Sequence, residues 1–95
     1  MTLVYQNAVG INLDIRTSFD LTGYTSLALY ITKPSGTKLT KTPSVVSLTA
    51  GTLSYETISG DLDEVGEYRT QVKATYPDGD VIPSEVDTFY VYAPL

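Results

Sequence analysis

Apolar and polar residues alternate with a period of two along most of the chain, and the 3.6-residue period of an amphipathic helix is almost absent. In VGINLDIR, Val9, Ile11, Leu13 and Ile15 share one face while Asn12, Asp14 and Arg16 take the other. In SLALYITK, Leu27, Leu29 and Ile31 alternate with Ala28, Tyr30 and Thr32. YRTQVKATY sets Tyr68, Thr70, Val72, Ala74 and Tyr76 against Arg69, Gln71, Lys73 and Thr75. The last run, SEVDTFYVYA, carries Val86, Thr88, Tyr90 and Tyr92 on one face and Phe89 and Val91 on the other. Each run is short, as strands are, and each reads as a half-buried strand.

Turn chemistry separates the runs. KPSG (33–36) places Pro where its ring presets φ for a type I or II turn. PDGD (77–80) offers an Asp-Gly pair that supplies positive φ in a hairpin. Ala50-Gly51 breaks SVVSLTAGTLSYETIS into two strands, and Pro43 marks a strand end or an edge. The sum is about seven short strands with a turn signal every 8–12 residues, which predicts an immunoglobulin-like antiparallel β-sandwich. An OB-type barrel is the alternative, but it calls for a helix that the pattern does not supply. Residues 1–95 form one domain on this reading. The apolar start MTLVYQ makes residues 1–8 a candidate N-terminal arm, either an extra edge strand or a reach onto a neighbouring subunit.

Composition removes whole classes of chemistry. The chain has no Cys and no His, so disulfides, thiolate metal sites, Cys nucleophiles and imidazole bases are excluded. A Ser nucleophile would lack its usual base, and TKPSGTK has neither the glycine spacing nor the helix of a phosphate loop. No catalytic residue, cofactor or metal is therefore expected, and the protein reads as a non-enzyme. Net charge is −5, with six Lys and Arg scattered along the chain, which disfavours nucleic acid and anionic membranes as partners. The N-terminus lacks the basic and apolar regions of a signal peptide, so synthesis in the cytosol is expected.

One stretch, SGDLDEVGEY (59–68), concentrates four carboxylates in ten positions. Its spacing departs from that of a calcium loop, because no acid falls at the closing position. A glycosidase pair would need a cleft and one buried carboxyl. A tyrosine corner accounts for more of the residues: Leu62 for the core, an acidic turn, Gly66 giving room, and Tyr68 entering a strand with its hydroxyl bonded to backbone a few residues upstream. On this reading the acids face water. The second acidic loop, with Asp78 and Asp80, reads as an ordinary hairpin turn. Eight Tyr remain. Tyr68 belongs to the corner; Tyr30, Tyr90 and Tyr92, with Leu3, Val4 and Tyr5 of the arm, are the candidate interface, since Tyr offers large amphipathic area at low entropic cost.

The series DLTGYTSLALYITKPSGT, LSYETISGDLDEVGEYRTQVKATYPDG and SEVDTFYVY resembles the small Ig-like N-terminal domain of tailed-phage baseplate upper proteins, over about residues 9–92. The resemblance implies a non-catalytic virion structural or accessory protein of tail, neck, baseplate or capsid. It would act through contacts with other virion proteins in multiple symmetric copies, and reside in the virion. A carbohydrate- or host-surface-binding module, assisted by Ca²⁺ at the acidic loops, is the alternative from another class.

Overall fold

The computed structural model describes residues 4–94, and Leu3 of the candidate interface lies outside them. Nine strands follow in order: β1 (Val4–Tyr5), β2 (Asn12–Arg16), β3 (Ser26–Thr32), β4 (Lys38–Lys41), β5 (Ser44–Ser47), β6 (Thr52–Glu56), β7 (Gly66–Thr75), β8 (Val81–Pro83) and β9 (Asp87–Tyr92). They form two sheets. The larger runs β1-β9-β7-β3-β4, with β8 also paired to β7; the smaller runs β2-β6-β5. Reading β2 to β9 as the Ig strands B, C, C′, D, E, F and G, with β8 as the first part of G, the order is that of an Ig-like sandwich. The chain is an all-β sandwich, as the alternation predicts.

Burial follows the pleat. Along β7, Tyr68, Thr70, Val72 and Ala74 are buried while Glu67, Arg69 and Lys73 are exposed. Leu29 and Ile31 of β3 pair with Val72 and Thr70 across the sheet and face the same interior. From the smaller sheet come Ile15 and Leu53, paired with each other, and the loops add Leu21 and Leu62. Each such fully buried aliphatic side chain contributes about 1.5–3 kcal/mol of transfer free energy. Tyr68 lies at the centre, with its ring stacked on that of Phe89 at 5.2 Å between centroids. The chain has no cysteine to pin the sheets, so side-chain packing joins them.

Three details depart from the pattern-based expectation. The strand count rises from about seven to nine because Val4–Tyr5 forms a short edge strand parallel to β9, and because Val81–Pro83, expected in the second acidic loop, pairs with β7 as a strand split from β9. The split has a local cause. Ser84 sits between β8 and β9; its N–H donates to the Val72 carbonyl, while its hydroxyl accepts from the Val72 N–H and donates to the Glu85 carbonyl. The strand therefore starts at Asp87 and not at Ser84, and Val86 lies outside it. Val9 is likewise outside β2 and is exposed, because Gly10 with positive φ turns the chain just before the strand.

Candidate functional site

Charged side chains meet in two places, at one end of the sandwich and on its outer face. At the end, the loop from β6 to β7 folds against the β3–β4 turn and the chain following β1. Asp61 is only 2% exposed. Its Oδ2 accepts from the Tyr55 hydroxyl at 2.6 Å and from the Ile58 N–H at 2.9 Å, and Lys41 Nζ lies 3.1 Å from Oδ1. Burial pushes its pKa up, but these hydrogen bonds and the Lys41 charge outweigh burial and hold it below the usual carboxylate value. The Tyr55 hydroxyl is raised by burial and by its bond to Asp61, so the pair is a neutral phenol donating to an ionised carboxylate. Lys33, nearly buried, donates to Asp63 at 2.7 Å and to the Gly60 carbonyl at 3.0 Å. The hydrogen bond to Asp63 raises its pKa against the opposing effect of burial. Glu64 accepts from both the N–H and the hydroxyl of Ser35. The Gln6 side-chain amide and the Asn7 N–H reach the carbonyls of Asp63 and Leu62.

The Tyr68 hydroxyl donates to the Glu64 carbonyl at 3.1 Å and accepts the Glu64 N–H at 3.0 Å. Leu62 is buried beneath it. Gly66 has φ +135°, and a Cβ there would sit 2.8 Å from Pro34 Cγ, so the corner and the KPSG turn pack in direct contact. The expectation that the acids face water is corrected for Asp61, which is buried; Asp63 and Glu67 are exposed as expected, and Asp63 and Glu64 also bond across to the neighbouring turn. Asp61 in particular accepts from fixed donors on both oxygens, as a buried carboxylate must where chain segments cross.

The outer face of the larger sheet is arranged differently. Tyr5 pairs with Tyr92 across β1 and β9, and their rings lie 6.3 Å apart; Tyr90 is 4.8 Å from Tyr92. All three rings are between 43% and 50% exposed, which leaves an aromatic stripe open to solvent. Val4, beside them in sequence, points inward and is buried. It packs in the core and does not belong to that face. Farther across the sheet, Thr32 pairs with both Arg69 and Lys38, Tyr30 with both Gln71 and Thr40, and Ala28 with Lys73. Lys73 Nζ lies 5.3 Å from the centroid of the Tyr30 ring, within range of a cation–π contact. The cations that look scattered in the sequence are gathered here by strand pairing. The polar half of YRTQVKATY puts Arg69 and Lys73 on one face, but nothing in the linear pattern signals that Lys38 joins them. Among the described residues, no group of three or more acids, His or Cys is placed to hold a metal ion.

No family model matches the chain, and no curated protein does. A solved structure does: CopC from Methylosinus trichosporium OB3b aligns with a TM-score of 0.60 at 13% identity, over 97% of this chain and 86% of that one. At that identity the likeness establishes the sandwich fold. It also corrects the expected function. The full-length likeness is to CopC and not to a phage component, so the virion role drawn from the resemblance is withdrawn. The motifs that carried it, KPSGT and GDLDEVGEY, are two halves of one interlocked corner, held by Lys33–Asp63, Ser35–Glu64 and Gly66 against Pro34. They hold the sandwich together without specifying what it binds. The calcium-assisted alternative gains no support either: Asp61, Asp63 and Glu64 are bonded within the corner, and among the described residues no group of acids, Asp78 and Asp80 included, is placed to hold a metal ion.

Proposed function

We propose that the chain is a non-catalytic protein-recognition module whose contact surface is the outer face of the larger sheet. The observation that carries this reading is the open stripe of Tyr5, Tyr92 and Tyr90 on a rigid strand pair, on the same face as Arg69. Tyr and Arg are enriched at the centres of interfaces, where a stiff aromatic ring gains contact area at little entropic cost. The buried ionisable groups support the non-catalytic half. Asp61, Tyr55 and Lys33 each face a fixed partner, and a general acid or base must be free to exchange its proton with a substrate.

A photo-crosslinking side chain introduced at Tyr92 tests the reading, with the same group at Asp14 on the smaller sheet as the control. The expected result is one defined protein adduct from the Tyr92 position in extracts of the producing cells, lost when Tyr90→Ala is added. Equal adduct patterns from the two positions would refute it.

A further inference from the structure

The basic half of that outer face has a composition of its own. Lys38, Arg69 and Lys73 line a shallow depression of about 300 Å³ together with Tyr30, Gln71 and Val86. Three of the chain's six cations are thus collected in one place. Two of the others, Lys33 and Lys41, are held in ion pairs with Asp63 and Asp61. Lys38 and Lys73 have no carboxylate within 4 Å among the described residues, and Arg69 has only the exposed Glu67 at 3.5 Å. Three cations against the one carboxylate of Glu67 leave a local charge of +2 in a chain whose net charge is −5. Glu85 and Asp87, on either side of Val86, do not line the depression.

Uncompensated cations close together repel one another and are kept at some cost, so a gathering of this kind in an acidic protein calls for a negatively charged partner. The depression is a strip of pleated sheet three strands wide, β4-β3-β7, with Val86 at its edge, open along its length and not a closed pocket. It suits an extended chain better than a compact ion. Tyr30 and the exposed Val86 add apolar area between the charges, which matches a peptide carrying carboxylates and occasional apolar residues. A long polyanion is disfavoured because the rest of the chain is strongly negative and repels it outside the patch.

We infer that the depression formed by Lys38, Arg69, Lys73 and Tyr30 docks an acidic, extended peptide segment of a partner protein, its Asp or Glu carboxylates lying over the three cations. This deepens the recognition reading above and rests on it: the Tyr stripe supplies contact area and the basic depression selects partners by charge.

Fluorescence anisotropy with a fluorescein-labelled oligoglutamate peptide tests the inference, with oligolysine and a single-stranded oligonucleotide as comparison probes. Oligoglutamate is expected to bind at low ionic strength and to weaken as salt rises, because exposed charges are screened over about 10 Å. Lys73→Gln or Lys38→Gln alone should weaken it by up to roughly fivefold, the upper range for one exposed ion pair. The Arg69→Glu/Lys73→Glu pair should weaken it by roughly tenfold or more. Absence of oligoglutamate binding, or binding that ignores the double reversal, overturns the inference. An oligonucleotide that binds more tightly than oligoglutamate overturns it in favour of nucleic acid. Backbone amide shifts of Tyr30 and Gln71 that move with protein concentration alone overturn it in favour of a second copy of this chain. Circular dichroism of each variant establishes that it is folded. A negative result here, with the Tyr92 crosslink intact, removes the charge selection and leaves the recognition face standing.

Discussion

At the end of the sandwich Asp61, Asp63 and Glu64 face Lys41, Lys33 and Ser35 at 2.7–3.1 Å, and three chain segments are locked together by them. On the outer sheet face Lys38, Arg69 and Lys73 stand in solvent with a single weak carboxylate contact among them. Both regions draw on β4 and on β3 and β7 or the loops beside them, with Lys41 and Lys38 at the two ends of β4. They differ in what satisfies the ions. Inward or at a crossing of loops, an unpaired charge costs several kcal/mol, so every ion found there has partners. On the open face water satisfies the ions, and an ion there is free to be exchanged for a partner's. The difference lies in pairing and not in sign: Lys33 and Lys41 are locked with Asp63 and Asp61 at the corner, whereas Lys38, Arg69 and Lys73 stand on the open face.

Removing Asp61 is the hardest blow to the locked region. Asp61→Ala leaves the Tyr55 hydroxyl, the Ile58 N–H and Lys41 without their acceptor, and is expected to cost about 3 kcal/mol in urea unfolding. A loss under about 1 kcal/mol would mean that water takes the carboxylate's place. Gly66→Ala comes next, at about 2 kcal/mol, from the unfavourable φ and the contact with Pro34. A Pro34→Ala background should relieve part of that loss but not the backbone strain, and a double-mutant cycle measures the share. Tyr68→Phe keeps the ring stack and removes the hydroxyl from the Glu64 backbone. About 1–2 kcal/mol is expected, and full-length folding should persist.

Acid probes the same region without mutation. Asp61 has a folded pKa below its unfolded value, so its contribution is present above the unfolded carboxylate pKa of about 3.9 and is lost as pH falls through the lower folded one. Stability measured against pH should drop below about pH 4, and this drop should be smaller in Asp61→Asn. The raised pKa of Lys33 acts in the opposite direction, its share being lost only as pH rises above the ordinary Lys value. The smallest stability effect is expected on the open face, where Arg69→Glu/Lys73→Glu should shift unfolding by less than about 0.5 kcal/mol. If that pair destabilises as much as Tyr68→Phe, the contrast between the two regions fails.

Most of the fold is legible in the sequence. The alternation through Tyr68, Thr70, Val72 and Ala74 names the buried face of β7, and the corner spacing of Leu62, Gly66 and Tyr68 corresponds to a hydroxyl bonded back to residue 64. Such signals are local, since a pleat has period two and a corner spans seven residues. The break at Ser84 was not legible, because it depends on a side chain bonding to Val72 on the neighbouring strand. Nor was the burial of Asp61, which depends on Lys41 arriving from β4. The candidate interface was half legible. Tyr90 and Tyr92 share a strand face by parity, whereas Val4 turns inward once β1 pairs parallel to β9.

By itself the sequence determined the β class, the turns, the inward face of each long strand and the absence of imidazole and thiol chemistry. All of these follow from residue identity and spacings of a few positions. Only the tertiary structure decided which ions are paired, because Lys33 meets Asp63 and Lys41 meets Asp61 across 30 and 20 positions of sequence. It also decided that Lys38 lies beside Arg69 and Lys73, through register between strands that no local pattern encodes. Charge counted along the chain says the protein is acidic; strand pairing still gathers three of its six cations on one open face.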